Sequence, residues 1–493
     1  MRCVIAIDAG TTGVRSRAVF DDDRSVVAAY REFTQYYPQP GWVEHDAVEI
    51  WEAVKATLLE VIERVGVASI AALGITNQRE TVVAWHRTTG EPYHRAIVWQ
   101  DRRTAAACDQ LRAAGHLDLV RRTTGLVLDP YFSGTKYAWL LGEGGVPDGP
   151  DLALGTIDDW LIWNLTGGEI HATDTTNASR TMLYDIGRLE WSKQMADILG
   201  VPIAALGEVR PSSGRFGVTS ARAGVPAGLP ISGVAGDQQA ALFGQACFTP
   251  GMAKNTYGTG SFVLINAGTR CPEPTEGMLT TIAWTLADGT TTYAVEGAIF
   301  VTGAAIQWLR DGLGLIASAA EIGPLAASVD DTGGVYLVPA FTGLGTPWWD
   351  PYARGTIVGI TRGTGRAHLA RATVEAMVYQ TRDAVEAMAD AAGTSITDLR
   401  VDGGASIMDL MLQLQADQLG VPVRRPVDQE TTALGAAYLA GLAEGVWTID
   451  ELRARWQLDA EFTPDADRAA ADAGHAMWRR AVERSRSWID GES

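Results

Sequence analysis

Three short stretches of the chain could hold a phosphorylated ligand. Asp8 is followed at once by Gly10-Thr11-Thr12-Gly13. Tyr257-Gly258-Thr259-Gly260-Ser261 repeats the theme about half a chain later, and Val401-Asp402-Gly403-Gly404 adds a glycine turn. Glycine lets the main chain approach an anion, backbone N–H groups point at it, and threonine hydroxyls add donors. Either Gly/Thr loop alone reads more simply as a β-turn; the two together with the Gly403-Gly404 turn favour a phosphate clamp. Asp8 is placed to hold Mg²⁺ or its waters, because Mg²⁺ keeps water and takes one or two carboxylates.

Two further stretches carry acid–base candidates. In Val234-Ala235-Gly236-Asp237-Gln238-Gln239, Asp237 falls where a strand ends and an apolar helix begins. Such an Asp is often a helix cap. The position also suits a carboxylate base, since open α/β sheets bind ligands at the carboxyl ends of their strands. Asn77-Gln78-Arg79-Glu80 closes another strand-like run. On a strand Arg79 and Glu80 point oppositely, while in a turn they converge; the plain alternative is a surface ion pair worth little. Grouped with Trp99, Tyr131 and Phe262, they could line a polyol pocket, polar groups meeting hydroxyls and aromatic faces the carbon edge.

These residues need elements to position them. Strand-like runs alternate with helical patterns, the α/β signature. The run 3–7 ends at Asp8, and 17–20 reads as a returning strand. The first loop is therefore strand–turn–strand, which excludes a Rossmann or P-loop unit, where a helix follows the glycines. Segments 253–255 and 262–266 repeat the hairpin, so internal duplication is a weak expectation. Residues 398–401 lead through the Gly403-Gly404 turn into a helical run ending at 419. Residues 366–392 read as one amphipathic helix closed by Gly393. Small apolar residues over 433–442 suggest a closely packed helix, and 470–488 the last one.

Composition bounds the function. Length suggests roughly three ordinary domains, and two large α/β domains fit as well; 46% hydrophobic with 20% charged residues suits a packed globular core. Lys plus Arg total 40 against 59 Asp plus Glu, a net charge of −19, which argues against nucleic acid or an anionic membrane surface as partner. Cys3, Cys108, Cys247 and Cys271 are far apart, so free thiols in a reducing cytoplasm are expected. No apolar run reaches the roughly 18 residues that span a bilayer, and Asp8 breaks the N-terminus too early for a signal peptide.

With those motifs in view, the chain resembles the glycerol kinases of the FGGY sugar-kinase family, in the actin-like ATPase superfamily. The resemblance runs through residues 8–12, 74–81, 96–100, 125–136, 173–183, 233–244, 255–260, 341–345 and 401–404. The first and last of these are shared across sugar kinases and imply only ATP dependence. The Asn77-Gln78-Arg79-Glu80, 129–136 and 236–244 runs point to glycerol. The resemblance implies two actin-like (ribonuclease H-like) α/β domains, 1–247 and 248–493, around a central catalytic cleft. It implies phosphorylation of glycerol by ATP, with Arg79, Glu80, Tyr131, Asp237 and Gln238 bonding glycerol between Trp99 and Phe262. Asp237 would be the general base, and Asp8 and Asp237 the candidates for Mg²⁺. Thr11, Thr12, Gly13 and Arg15 would meet the phosphates; Thr259, Gly303, Gln307 and Gly404 would bind nucleotide from the second domain. A homodimer or homotetramer is implied as well.

Some positions depart from the family pattern. Ala9 replaces a frequent Gln, and Gly13-Val14 replace small hydroxyl residues. Met408 stands where an Asn usually contacts adenine, so altered purine selectivity or weaker ATP binding is expected. Loop 221–229 has Gly228 in place of the Arg that binds fructose 1,6-bisphosphate in some members. It also lacks the His that others use as a phosphorylation switch, so neither regulation is expected. Two competing readings are a kinase for another small polyol or ketose and a non-enzymatic actin-like module. The latter needs the nucleotide loops but not the polyol-binding residues.

Overall fold

The computed structural model describes residues 2–22, 26–465 and 467–489. Its first sheet has six strands in the order Ser213–Val218, Pro230–Gly236, Ile70–Asn77, Cys3–Ala9, Gly13–Phe20, Val27–Glu32. Cys3 to Ile7 are wholly buried, the near-continuous apolar run expected of a strand covered on both faces. Cys3–Ala9 is antiparallel to Gly13–Phe20 and parallel to Ile70–Asn77, which is parallel to Pro230–Gly236. Asp8 is in register with Thr76, and both Ala9 and Gly236 with Asn77. The carboxyl ends of three parallel strands therefore share one edge, and Asp8, Gln78 to Glu80, and Asp237 all emerge there.

The second sheet repeats the plan. Met252–Tyr257 is antiparallel to Ser261–Gly268 and parallel to Asp398–Asp402, which is parallel to Val423–Pro426. Leu279–Thr285 and Thr291–Ile299 extend the antiparallel side, and Leu458–Phe462 closes the other. Thr256 is in register with Asp402, so Tyr257-Gly258-Thr259 and Gly403-Gly404 leave the sheet side by side. The shared topology is the duplication that the two hairpins suggested. A five-stranded insertion, including Val82–His86 and Leu152–Thr156, is built onto the first sheet's functional edge.

The helix Arg366–Ala392 ends at Gly393 in a left-handed turn, as expected. The last helix differs from its expected bounds. It runs Arg468–Ser485, capped by Asp467 at its start. At its end Arg486 is extended and the Ser487 N–H donates to Asp350 Oδ2 at 2.9 Å, which draws the chain away.

The helix Thr431–Ala443 crosses the helix Asp237–Gly244 and packs on the first sheet. Backbones touch at the crossing: a Cβ at Gly435 would lie 1.8 Å from Ala240 O, and one at Gly244 2.0 Å from Thr431 O. Gly74 and Gly233 admit the same helix, where a Cβ would meet Ala436 O at 2.2 Å and Ala440 N at 2.3 Å. Asp402 Oδ2 joins the two helices to the glycine turn, accepting from Gln245 Nε2 at 2.8 Å and Thr431 Oγ1 at 2.6 Å.

Candidate active site

Arg79 and Glu80 converge. The chain turns directly after Asn77, Thr81 N donating to Arg79 O at 2.8 Å, and Glu80 takes φ 60°. A left-handed conformation at a non-glycine residue costs on the order of 1–3 kcal/mol and persists only where surroundings over-determine it. Here Ser133 Oγ donates to Glu80 O at 3.2 Å and Arg180 Nε to Glu80 Oε1 at 2.7 Å. The pair is no surface decoration: the Arg79 and Glu80 side chains are 2% and 1% exposed.

Arg79 is the hub. Its Nη1 donates to Gln239 Oε1 at 3.1 Å and Glu296 Oε2 at 2.5 Å; its Nη2 donates to Tyr131 OH at 3.1 Å and Glu296 Oε1 at 3.0 Å. A guanidinium has five N–H hydrogens in a fixed fork, so protein acceptors take all four on Nη1 and Nη2. Nε remains, 3.2 Å from Asp237 Oδ1. Tyr131 accepts from Arg79 and keeps its own hydroxyl hydrogen to donate. Lys136, fully buried, secures that segment by donating to Tyr131 O at 2.5 Å and Phe132 O at 3.2 Å.

Asp237 is the first residue of its helix and Gly236 its cap. Asp237 Oδ1 accepts from its neighbour Gln238 N at 2.7 Å. The side chain is 29% exposed, against at most 2% for Arg79, Glu80 and Glu296. The backbone before it is pinned: Gly236 N donates to Thr176 Oγ1 at 2.9 Å, and that hydroxyl donates to the buried Asp174 at 2.9 Å. Burial pushes the Asp237 carboxyl up, while Arg79 and Lys254 pull it back. Asp8 is half-buried at the same edge. Burial and the facing Asp237 raise it to about 7, against the pull of Arg15.

The aromatic walls stand together. The Trp99 ring lies 5.7 Å from Tyr131 and 6.3 Å from Phe262 between centroids, both edge-on, and the Arg79 guanidinium lies 6.0 Å from the Phe262 ring. Trp99 Nε1 donates to Thr11 Oγ1 at 3.0 Å, tying this wall to the first Gly/Thr loop. Gln78 fastens the same loop, its Nε2 donating to Gly10 O at 3.1 Å. That nitrogen also donates to His45 Nδ1 at 3.2 Å, while His45 Nε2 donates to Gln35 Oε1 at 2.6 Å.

Gly10 N donates to Gly13 O at 3.0 Å across the first hairpin, leaving Thr12 exposed. Arg15, one strand position on, is turned to Glu430 in an ion pair and lies over the Tyr30 ring. In the second half, Gly303 N and Ala304 N donate to Gly258 O and Thr259 O, both at 3.0 Å, seating the loop on a helix start. Gly403 has φ 87°, and a Cβ there would lie 2.5 Å from Tyr257 O. Thr259, Gly303 and the Gly403-Gly404 turn are thus gathered on one rim. Gln307 lies one helical turn past Gly303, exposed, and Met408 is half-buried beside Gly323.

Four residues of the cluster were not singled out by sequence: Arg180, Gln239, Lys254 and Glu296. Lys254 and Glu296 are wholly buried yet sit in β-rich runs. A charge inside such a run is the signal that could have found them, because Lys and Glu are almost never fully buried unless paired. Lys254 Nζ donates to Gln238 Oε1 and, at 3.0 Å, to Thr256 Oγ1. Gln238 thus presents its oxygen to Lys254. Burial lowers Lys254 to about 8 although Asp402 and Asp237 favour its charge. Burial alone would raise Glu296, but Arg180 and Arg79 outweigh it and hold the carboxyl at about 2.

Asp8 and Asp237 suit a hydrated divalent cation, because two carboxylates that hinder each other's ionisation are relieved by positive charge between them. Among the described residues no cluster of three or more His, Cys, Asp or Glu could cage a metal; a Mg²⁺ here would take its other ligands from water and phosphate.

Comparison with known proteins bears on the family. The chain is 54% identical to the glycerol kinase of Carboxydothermus hydrogenoformans over 493 residues, 98% of each chain. It is 52% identical to glycerol kinase 2 of Thermotoga maritima over 99% of each. The crystal structure of Plasmodium falciparum glycerol kinase with ADP superposes with a TM-score of 0.93 at 34% identity, covering 98% of both chains. A xylulose kinase from Lactobacillus acidophilus, 20% identical with a TM-score of 0.86 over 98% of this chain and 97% of its own, shares the fold. The fold is that of two actin-like (ribonuclease H-like) α/β domains about a central cleft. Among the described residues no helix is long and apolar enough to cross a membrane. The N-terminal domain of the FGGY family of carbohydrate kinases matches residues 3–244 and its C-terminal domain residues 253–444, so the chain belongs to that family.

Proposed function

We propose that this protein transfers the γ-phosphoryl group of ATP to a terminal hydroxyl of glycerol, giving sn-glycerol 3-phosphate and ADP. The observation that carries this reading is the convergence of Arg79, Glu80, Tyr131, Trp99, Phe262 and Asp237 on one small site beside the first Gly/Thr loop. Whole-length identity to glycerol kinases supports it.

Glycerol lies with its carbon edge on Trp99 and Phe262. Glu80 and Asp237 accept from its hydroxyls, and Tyr131, Arg79 Nε and the amide of Gln238 donate. Asp237 takes the proton of the attacking hydroxyl as the new O–Pγ bond forms and the bond from Pγ to the bridging oxygen breaks, that oxygen leaving on ADP. Raising a carboxylate by burial brings it nearer the pKa that proton transfer at neutral pH favours. The phosphates sit between the loops of residues 10–13 and 258–260, with Thr11, Thr12, Gly13 and Arg15 on one side and Thr259 on the other. Gly303, Gln307 and Gly404 hold the rest of the nucleotide, with Met408 beside the base. Asp8 and Asp237 would hold a Mg²⁺ or its waters, which would offset phosphate charge.

Closure of the two domains, 1–247 and 248–493, would exclude the water that competes with glycerol. The site of action is the cytoplasm.

The test is a coupled ADP-release assay with glycerol, dihydroxyacetone, xylulose and gluconate. Glycerol gives the highest kcat/KM; preference for a larger sugar would replace this reading with the ketose or polyol alternative. Asp237→Asn lowers kcat by roughly 10²–10⁴, and a rate within a few-fold of wild type would refute the assignment of the base.

A further inference from the structure

Glu296 has no part in the roles given so far, yet it is the most enclosed carboxylate of the site. It lies on Thr291–Ile299 of the second sheet, wholly buried, in register with Leu264 on one side and Leu279 on the other. From there it reaches residues of the first half. Its two oxygens take both Nη nitrogens of Arg79 in a fork, and Oε1 also accepts from Arg180 Nη2 at 2.9 Å. Arg180, itself wholly buried, gives its Nε to Glu80 Oε1. Glu80, Arg180, Glu296 and Arg79 form an unbroken chain of alternating charge, and the two ends of that chain are the polar residues assigned to glycerol.

We infer that Glu296 is the positioning residue of the polyol site: acting through Arg79 and Arg180, it sets where Arg79 Nε and the Glu80 carboxylate stand before glycerol arrives. The inference rests on the glycerol reading above. Planar guanidinium–carboxylate forks fix orientation as well as distance, and a lysine or an amide cannot reproduce the fork. A side chain held in this way restricts which substrate pose finds its partners without touching the reacting atoms.

The experiment compares wild type, Glu296→Gln, Glu296→Asp and Arg180→Lys by steady-state kinetics with glycerol and ATP varied separately. Glu296→Gln keeps the size and removes the charge. It raises KM for glycerol at least about 20-fold, changes kcat less than about fivefold and leaves KM for ATP within about twofold. Glu296→Asp restores the charge on a shorter stem and recovers most of the glycerol KM. Arg180→Lys raises KM for glycerol with the same selectivity. A glycerol KM within twofold of wild type in folded Glu296→Gln overturns the inference. So does a fall in kcat with both KM values unchanged, the signature of lost folded enzyme, and so does Glu296→Asp behaving no better than Glu296→Gln. If Glu296→Gln does not fold, the other two variants decide: a selective rise in glycerol KM of tenfold or more upholds the inference and values within twofold overturn it. Failure of wild type to phosphorylate glycerol would instead strike the parent reading.

Discussion

On the polyol side of the cleft, Arg79, Glu80, Arg180, Lys254 and Glu296 are at most 2% exposed, and each meets another charged or polar side chain of the cluster. On the nucleotide side, Thr12, Gly258, Thr259, Gln307 and Gly404 are exposed, and the loops are held largely through their backbone, as where Gly10 N meets Gly13 O and Gly303 N meets Gly258 O. The first arrangement is cross-braced by its own ion pairs and discriminates through side-chain chemistry. The second offers main-chain N–H groups, which suit any phosphate. On the reading proposed above, substrate choice belongs to the first region and phosphoryl-donor binding in general to the second.

The contrast can be broken by mutation. After the loss of Asp237, the largest effect is expected at Lys254→Met, which strips Gln238 and Thr256 of a buried charged donor. A hydrogen bond to a charged group is worth about 1.5–3 kcal/mol, so kcat/KM for glycerol falls about 10–100-fold. Loss of ATP affinity instead of glycerol turnover would place Lys254 on the other side of the divide.

Next comes the joint between the regions, where Gln78 links His45 to Gly10. Burial holds His45 down at about 4 against an ordinary 6.5, so between those pH values the unfolded chain binds a proton that the folded chain refuses. Stability therefore falls as pH drops from about 6.5 to about 4, by on the order of 3 kcal/mol from this group. His171, also held at about 4, acts in the same direction. Thermal melts of His45→Gln should show a shallower acid-side decline than wild type; parallel declines would remove His45 from the account.

Smaller shifts are expected on the nucleotide rim. Met408→Asn changes KM for ATP or the ATP/GTP preference by about 3–10-fold, the scale of one hydrogen bond gained; no change in either would exclude a base contact. Thr12→Ala and Thr259→Ala cost least, about 2–5-fold in KM for ATP, because backbone groups remain. A loss of a hundredfold in either would mean that hydroxyls, not main chain, grip the phosphates.

The same divide explains what could be read from sequence. Gly13, Gly260 and Gly403 were legible because backbone geometry leaves a local mark, a glycine where a side chain cannot go. The helix Arg366–Ala392 was legible through its period and closing glycine. The partners of Arg79 were not, since Glu296 lies 217 residues away and only the packing of two sheets brings it near. Sequence reasoning left open whether Arg79 and Glu80 meet, and the turn after Asn77 decides it. Arg15 was assigned to phosphate by resemblance, and its pairing with Glu430, 415 positions later, has no local signature.

The crossing of Asp237–Gly244 with Thr431–Ala443 carries a consequence of its own. Where Gly244 and Gly435 meet, main chain rests on main chain, and the carboxylate beside the crossing, Asp402, is buried away from solvent. Such a bearing is indifferent to ionic strength and acidity, unlike the charged floor a few residues away. Changes of medium can thus disturb the charged cluster while this crossing of helices holds its geometry.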